Sequence, residues 1–171
     1  GTNQSECVPR RVRTGPLGHS AACRRITEIG CGRNHSVAVD VEGRVYTWGS
    51  SEEGQCGHGV VDCQREPLCV EALKAVIVVR VFCGSRHTLA VTHTGAVYAW
   101  GWSQYGQCGQ GFNANVMTPT LVQGLADLRV TTISCGFRHT AAVTDDGCLY
   151  AWGWGACGQL GLGARETKNT P

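Results

Sequence analysis

Three histidines sit at one fixed interval in this 171-residue chain: His35, His87 and His139. Equivalent histidines could ring an axis and converge on a metal ion. Eleven cysteines could pair into disulfides, and Cys56, His58, Cys63 and Cys69 together have the content of a zinc site. The stretch AVYAWGWSQYGQCGQG (96–111) is glycine-rich enough to suggest a phosphate cradle. Each chemistry makes its own demand on the surrounding structure. A metal needs ligands that close on one point. A phosphate loop needs a glycine-rich turn that opens a helix, so that N–H groups converge on the anion.

The elements that must position these residues are set by repetition. Cys31, Cys83 and Cys135 are 52 residues apart, and so are His35, His87 and His139, and Trp48, Trp100 and Trp152. Gly49, Gly101 and Gly153 keep the interval, as do Tyr46, Tyr98 and Tyr150, and Gln55, Gln107 and Gln159. An ungapped period near 50 residues points to a propeller or solenoid. The chemical candidates then read differently. No helical period and no GK[ST] follow the glycines, so they serve sharp turns and close passage of backbones. One histidine per unit, always followed by Ser or Thr, reads as a hydrogen-bonding element at a strand start. Cys56 and Cys108 align with Leu160, a slot that takes cysteine or leucine, so the thiol acts there as a small buried hydrophobe. The cysteine total is odd and the spacing follows the repeat, which suits a reducing compartment, cytosol or nucleus. The Cys56/His58/Cys63/Cys69 cluster lacks a paired CxxC and has no counterpart in the neighbouring units. There is no nucleophile elbow, no HExxH and no repeated carboxylate pair. The sequence therefore reads as a non-enzyme without cofactor, metal or small-molecule substrate.

Within the second unit, VIVVRVFCG (76–84) is a short β-branched run, HTLAVTH (87–93) alternates, and AVYAWG (96–101) follows a Thr-Gly turn. Strand, strand, hairpin, strand is the simplest reading. The turns Glu42-Gly43, Thr94-Gly95 and Asp146-Gly147 place glycine where a tight hairpin demands positive φ. A weaker fourth strand is expected after the proline, over TLVQGL (120–125), with proline at its start as on an edge strand. Four antiparallel strands per unit make a propeller blade, an all-β fold with no helix beyond a single turn. Tyrosine and tryptophan fill the blade core, and the repeated glutamine offers a partner for their polar tips.

At 42% hydrophobic and 16% charged the chain is globular, and no apolar run approaches the roughly 18 residues of a membrane span. Gly1 and Pro9 repeat the spacing of Gly59 to Pro67, so the chain reads as a segment of a longer array. It forms one partial propeller domain over 1–171, with repeats near 10–59, 60–111 and 112–163. Residues 1–9 and 164–171 then belong to flanking blades.

The three motifs CGRNHSVAVDVEGRVYTWGSSEEGQCGHG, CGSRHTLAVTHTGAVYAWGWSQYGQCGQG and CGFRHTAAVTDDGCLYAWGWGACGQLGLG resemble the repeat of the regulator of chromosome condensation family. The resemblance covers essentially the whole chain. It implies a seven-bladed propeller, of which the chain supplies about three blades. It also implies several functions: nucleotide exchange on a small GTPase, chromatin docking, partner binding within ubiquitin ligases, and ultraviolet-B sensing in a plant relative through tryptophans in GWRHT. Here Arg33, Ser85 and Phe137 occupy that tryptophan's place.

A protein-interaction scaffold is the reading that follows, with 60–66, 112–118 and 164–170 as loops that vary on a fixed frame. Guanine-nucleotide exchange on a small GTPase is the alternative. It would need a protruding element, and the six extra residues within 13–23 are the one length anomaly. Arg10, Arg11, Arg13, Arg24 and Arg25 flank that insertion and are the candidate partner-binding residues, for a protein or for the phosphates of nucleic acid or chromatin.

Overall fold

Each unit folds its second strand back onto its third at a glycine with positive φ: Gly43 (79°), Gly95 (89°) and Gly147 (85°). A Cβ is unfavourable in that left-handed region, so the hairpins form where the sequence places glycine. The structure, a computed structural model, describes residues 11, 12 and 24–171. Among these, β1 (Ile26–Cys31), β2 (His35–Asp40), β3 (Val45–Gly49) and β4 (Gln64–Cys69) form one sheet in that order. A second sheet contains β5 (Val78–Cys83), β6 (His87–Thr92), β7 (Val97–Gly101) and β8 (Val116–Leu121). The third contains β9 (Val130–Cys135), β10 (His139–Thr144) and β11 (Leu149–Gly153), with a single bridge from Gly153 to Lys168 where a fourth strand would lie. All pairings are antiparallel. The register is the same in each sheet: His35 faces Gly49, His87 faces Gly101, and His139 faces Gly153. These are the meander blades of an all-β propeller.

One hydrophobic core runs through all three sheets, from Val37, Val39 and Val45 through Leu89 and Trp100 to Ile133 and Trp152. Burial along the strands shows how the sheets stack. Every residue of β6 is buried, because sheet two is covered on both faces. In β10, buried and half-buried residues alternate, because one face lacks a described neighbour. The alternation expected for 87–93 therefore fails as an inside–outside pattern: Thr88 and Thr92 are as buried as Leu89 and Val91. Their hydroxyls are satisfied by hydrogen bonds, which removes the cost of burying them.

The fourth strand also departs from expectation. It begins before the proline and carries it inside, Pro67 in β4 and Pro119 in β8. These strands end their sheets, and the pairing shifts register across each proline, so the missing N–H costs little there. Residues 123–125 form a one-turn 3-10 helix, as do 71–73, and each buries one leucine, Leu125 or Leu73. Parts of the supposedly variable segments 60–66 and 112–118 are thus strand.

Candidate functional site

The repeated histidine, threonine, glutamine and tryptophan meet at the seam between adjacent sheets. His35 Nε2 lies 2.9 Å from Thr88 Oγ1 in the next sheet, and His87 Nε2 lies 3.1 Å from Thr140 Oγ1. Each threonine hydroxyl donates in turn to a glutamine main-chain carbonyl, Gln55 or Gln107, at 2.9 Å. A hydroxyl that donates there must accept from the imidazole, so the histidine carries its proton on Nε2. Its other nitrogen, Nδ1, is buried without a partner in both His35 and His87. Burial pushes His35 down to about 4 and His87 to about 3, so both are neutral at physiological pH. The same glutamine carbonyls accept the indole N–H of Trp100 and Trp152 at 2.9 Å. The tryptophan's partner is thus the glutamine's main chain from the preceding sheet. The side-chain Oε1 of Gln55, Gln107 and Gln159 folds back to accept an N–H of its own loop.

Two glycine positions make room for this seam. A Cβ on Gly84 would land on the His87 ring, and Gly32 and Gly136 stand in the same relation to His35 and His139. Gly57 and Gly109, with φ of 77° and 71°, let the chain pass the Trp100 and Trp152 indoles, where a Cβ would approach Nε1 to 2.9 and 3.0 Å. The CGxxH and GQxGxG motifs are therefore the two halves of one blade-to-blade joint.

The cysteines take structural places. Cys56 and Cys108 are fully buried, and burial raises their thiols to about 11 and about 12. Cys31, Cys83 and Cys135 line a groove of about 420 Å³ beside the innermost strands, together with Arg33, Ser85 and Phe137. Cys83 and Cys135 are half-buried and Cys31 is exposed, whereas the Cys56 and Cys108 slot is buried as expected. Cys83 packs close to Gly30 of the preceding sheet, where an added Cβ would come within 3.2 Å of its sulfur. All nine cysteines among the described residues are free thiols, and no group of three metal-ligating side chains converges among them.

Of the five candidate arginines, Arg10 and Arg13 lie outside the described residues. Arg11 is exposed. Arg24 turns inward: it reaches Asp40 at 3.4 Å and stands 5.4 Å from the Tyr46 ring centroid. Burial works against the Asp40 charge, but hydrogen bonds from Arg44, Tyr46 and Glu42 outweigh it and hold the carboxylate below its usual range. Arg25 is exposed, and its carbonyl accepts from Val41.

The strongest cluster of recognition-type side chains is elsewhere, and sequence reading passed it over. Loops from sheets two and three bring Trp102, Tyr105, Phe137 and Trp154 around Arg138. The guanidinium carbon lies 5.7, 4.9, 5.2 and 5.4 Å from the four ring centroids respectively. Trp102 meets Tyr105 and Phe137 edge to face, at 5.6 and 6.3 Å. Aromatic rings with arginine are the residue types that anchor protein interfaces. Phe137 remains 51% exposed, so the cluster faces solvent. Beside it, Arg86 reaches Glu53 at 3.1 Å and stands 6.0 Å from the Trp102 centroid. The available signal was the paired Arg86 and Arg138 in SRH and FRH, read together with the WGW tryptophans.

Comparison with known proteins agrees with this architecture. The family described as RCC1-like domain matches residues 1–171. The ultraviolet-B receptor UVR8 of Arabidopsis thaliana is 37% identical over the whole chain, which spans 38% of that protein. The ubiquitin ligase HERC2 of Homo sapiens is 40% identical over 88% of the chain, a match to only 3% of the ligase. Among solved structures, human WBSCR16 superposes with a TM-score of 0.77 at 28% identity, over 91% of this chain and 41% of that one. Prp20p of Saccharomyces cerevisiae, analysed for its binding to Gsp1p and histones, superposes at 0.78 over 88% of this chain and 38% of its own, with 23% identity. The chain thus spans well under half the length of each of these relatives.

Proposed function

The chain belongs to the RCC1-like domain family, and from that membership we propose that it serves as a protein-interaction scaffold whose working face is the aromatic–arginine cluster. It contributes blades to a seven-bladed propeller. The observation that carries the reading is the convergence of Trp102, Tyr105, Phe137, Arg138 and Trp154 on one solvent-facing patch. These residues come from two sheets locked together by the His87–Thr140–Gln107–Trp152 joint. A rigid frame lowers the entropy lost when a partner docks. Free thiols throughout the described residues support a reducing compartment, cytosol or nucleus. No helix among these residues is long and apolar enough to cross a membrane.

The test is quantitative affinity capture with the wild-type chain and a Trp102→Ala/Phe137→Ala variant. Proteins retained by the wild type should be lost by the variant. An unchanged set of captured proteins would refute this face as the working surface. GDP release from small GTPases, measured in parallel, separates exchange from plain binding: accelerated release would favour the exchange reading.

A further inference from the structure

The 52-residue period lets two loop contacts be compared as equivalents. In one, Arg86 bonds Glu53 at 3.1 Å, and Asn115 Nδ2 donates to the other oxygen of that carboxylate at 2.6 Å. One unit later the same three positions are Arg138, Tyr105 and Thr167. The arginine is kept, while its carboxylate has become a phenol ring. Among the described residues Arg138 meets no carboxylate, and its Nε is buried without a hydrogen-bond partner. The ring faces attract its charge but offer no acceptor in the guanidinium plane.

We propose that Arg138 receives an aspartate or glutamate side chain from an acidic segment of a partner protein, flanked by Trp102, Phe137 and Trp154. The proposal rests on the scaffold reading and names its ligand chemistry. A carboxylate is the group that Arg86 binds at the equivalent position, and it matches the guanidinium fork. The rings beside it cover the aliphatic part of the acidic side chain and keep water from the pair. Nucleic acid fits less well. Phosphate recognition needs several cations in a row, and Arg86, which shares the Trp102 ring with Arg138, is already paired with Glu53.

The experiment selects peptides from a random display library on the immobilised 171-residue chain. Affinities of the selected peptides follow by fluorescence polarisation for wild type, Arg138→Gln, Arg138→Lys and Tyr105→Glu, each first checked for an unchanged denaturation midpoint. The selected peptides should be rich in Asp and Glu. Affinity should fall by about tenfold or more in Arg138→Gln, partly recover in Arg138→Lys, and collapse in Tyr105→Glu, which restores the internal partner. Peptides without acidic enrichment, or undiminished binding by Arg138→Gln, would overturn the proposal. If neutral peptides bind and need Trp102 and Phe137, the scaffold reading stands and the carboxylate specificity falls. If the chain instead binds a single-stranded oligonucleotide or itself through Arg138, the proposed occupant is wrong.

Discussion

Replacing Thr88 by valine tests the blade joint with the least disturbance of shape. The side chain is fully buried, and valine fills nearly the same volume, so no cavity is created. What disappears is one hydroxyl with two bonds, from His35 Nε2 and to the Gln55 carbonyl, each at 2.9 Å. The Gln55 carbonyl keeps the Trp100 indole N–H and loses little. The His35 Nε2–H loses its acceptor, in a ring whose other nitrogen already has no partner. A buried donor left unsatisfied costs about 1–3 kcal/mol. The expected loss is about 2 kcal/mol, and the same for Thr140→Val at the next joint. For a chain of this length that is a drop of roughly 4–8 °C in Tm. Urea titration supplies the assay, with the midpoint shifting at constant slope. Thr131→Val is the control, since its hydroxyl bonds Val143 O at an exposed site and should cost under about 0.5 kcal/mol. A loss at Thr88 no larger than at Thr131 would refute the joint as a source of stability.

Further outcomes follow from the same geometry. The unfolded chain's histidines take up protons near pH 6.5, but the buried His35 and His87 only near about 4 and about 3, so acid favours unfolding. Stability should be fully present above about pH 6.5 and fall below it, by up to about 1.4 kcal/mol per pH unit for each histidine, as read by denaturant titration from pH 7.5 down to 4.5. Gly84→Ala should destabilise by about 3 kcal/mol or more, because its Cβ would occupy the His87 ring. Gly147→Ala, with φ of 85° and open space around it, should cost only the conformational penalty of about 1–2 kcal/mol, and comparing the two by thermal unfolding separates sterics from backbone strain. A maleimide reagent should label the exposed Cys31, Cys63, Cys148 and Cys157 in the native chain, and reach Cys56 and Cys108 only on unfolding, as mass spectrometry would show.

Local chemistry carried much of the fold. Asp146-Gly147 and its equivalents marked the hairpins, and the recurrence of Trp, Cys and His at one interval marked the blade. Local pattern failed where a residue's environment comes from another sheet. Thr88 looks like an outward residue of a half-buried strand until a second sheet covers it. The fourth strand looks as if it must wait for its proline until the outer edge shows that the missing N–H costs little there. The aromatic cluster drew no attention because Trp102, Tyr105, Phe137 and Trp154 are each unremarkable in their own unit. Only the stacking of sheets two and three gathers them on Arg138.

Among the described residues, the blade joints link each sheet to its immediate neighbours in the chain: His35 to Thr88 and His87 to Thr140. Such a molecule behaves like a short one-dimensional lattice, with a small intrinsic free energy per unit and a larger coupling term per junction. The amides of β6, the strand buried along its whole length between two junctions, are the last to exchange their hydrogens.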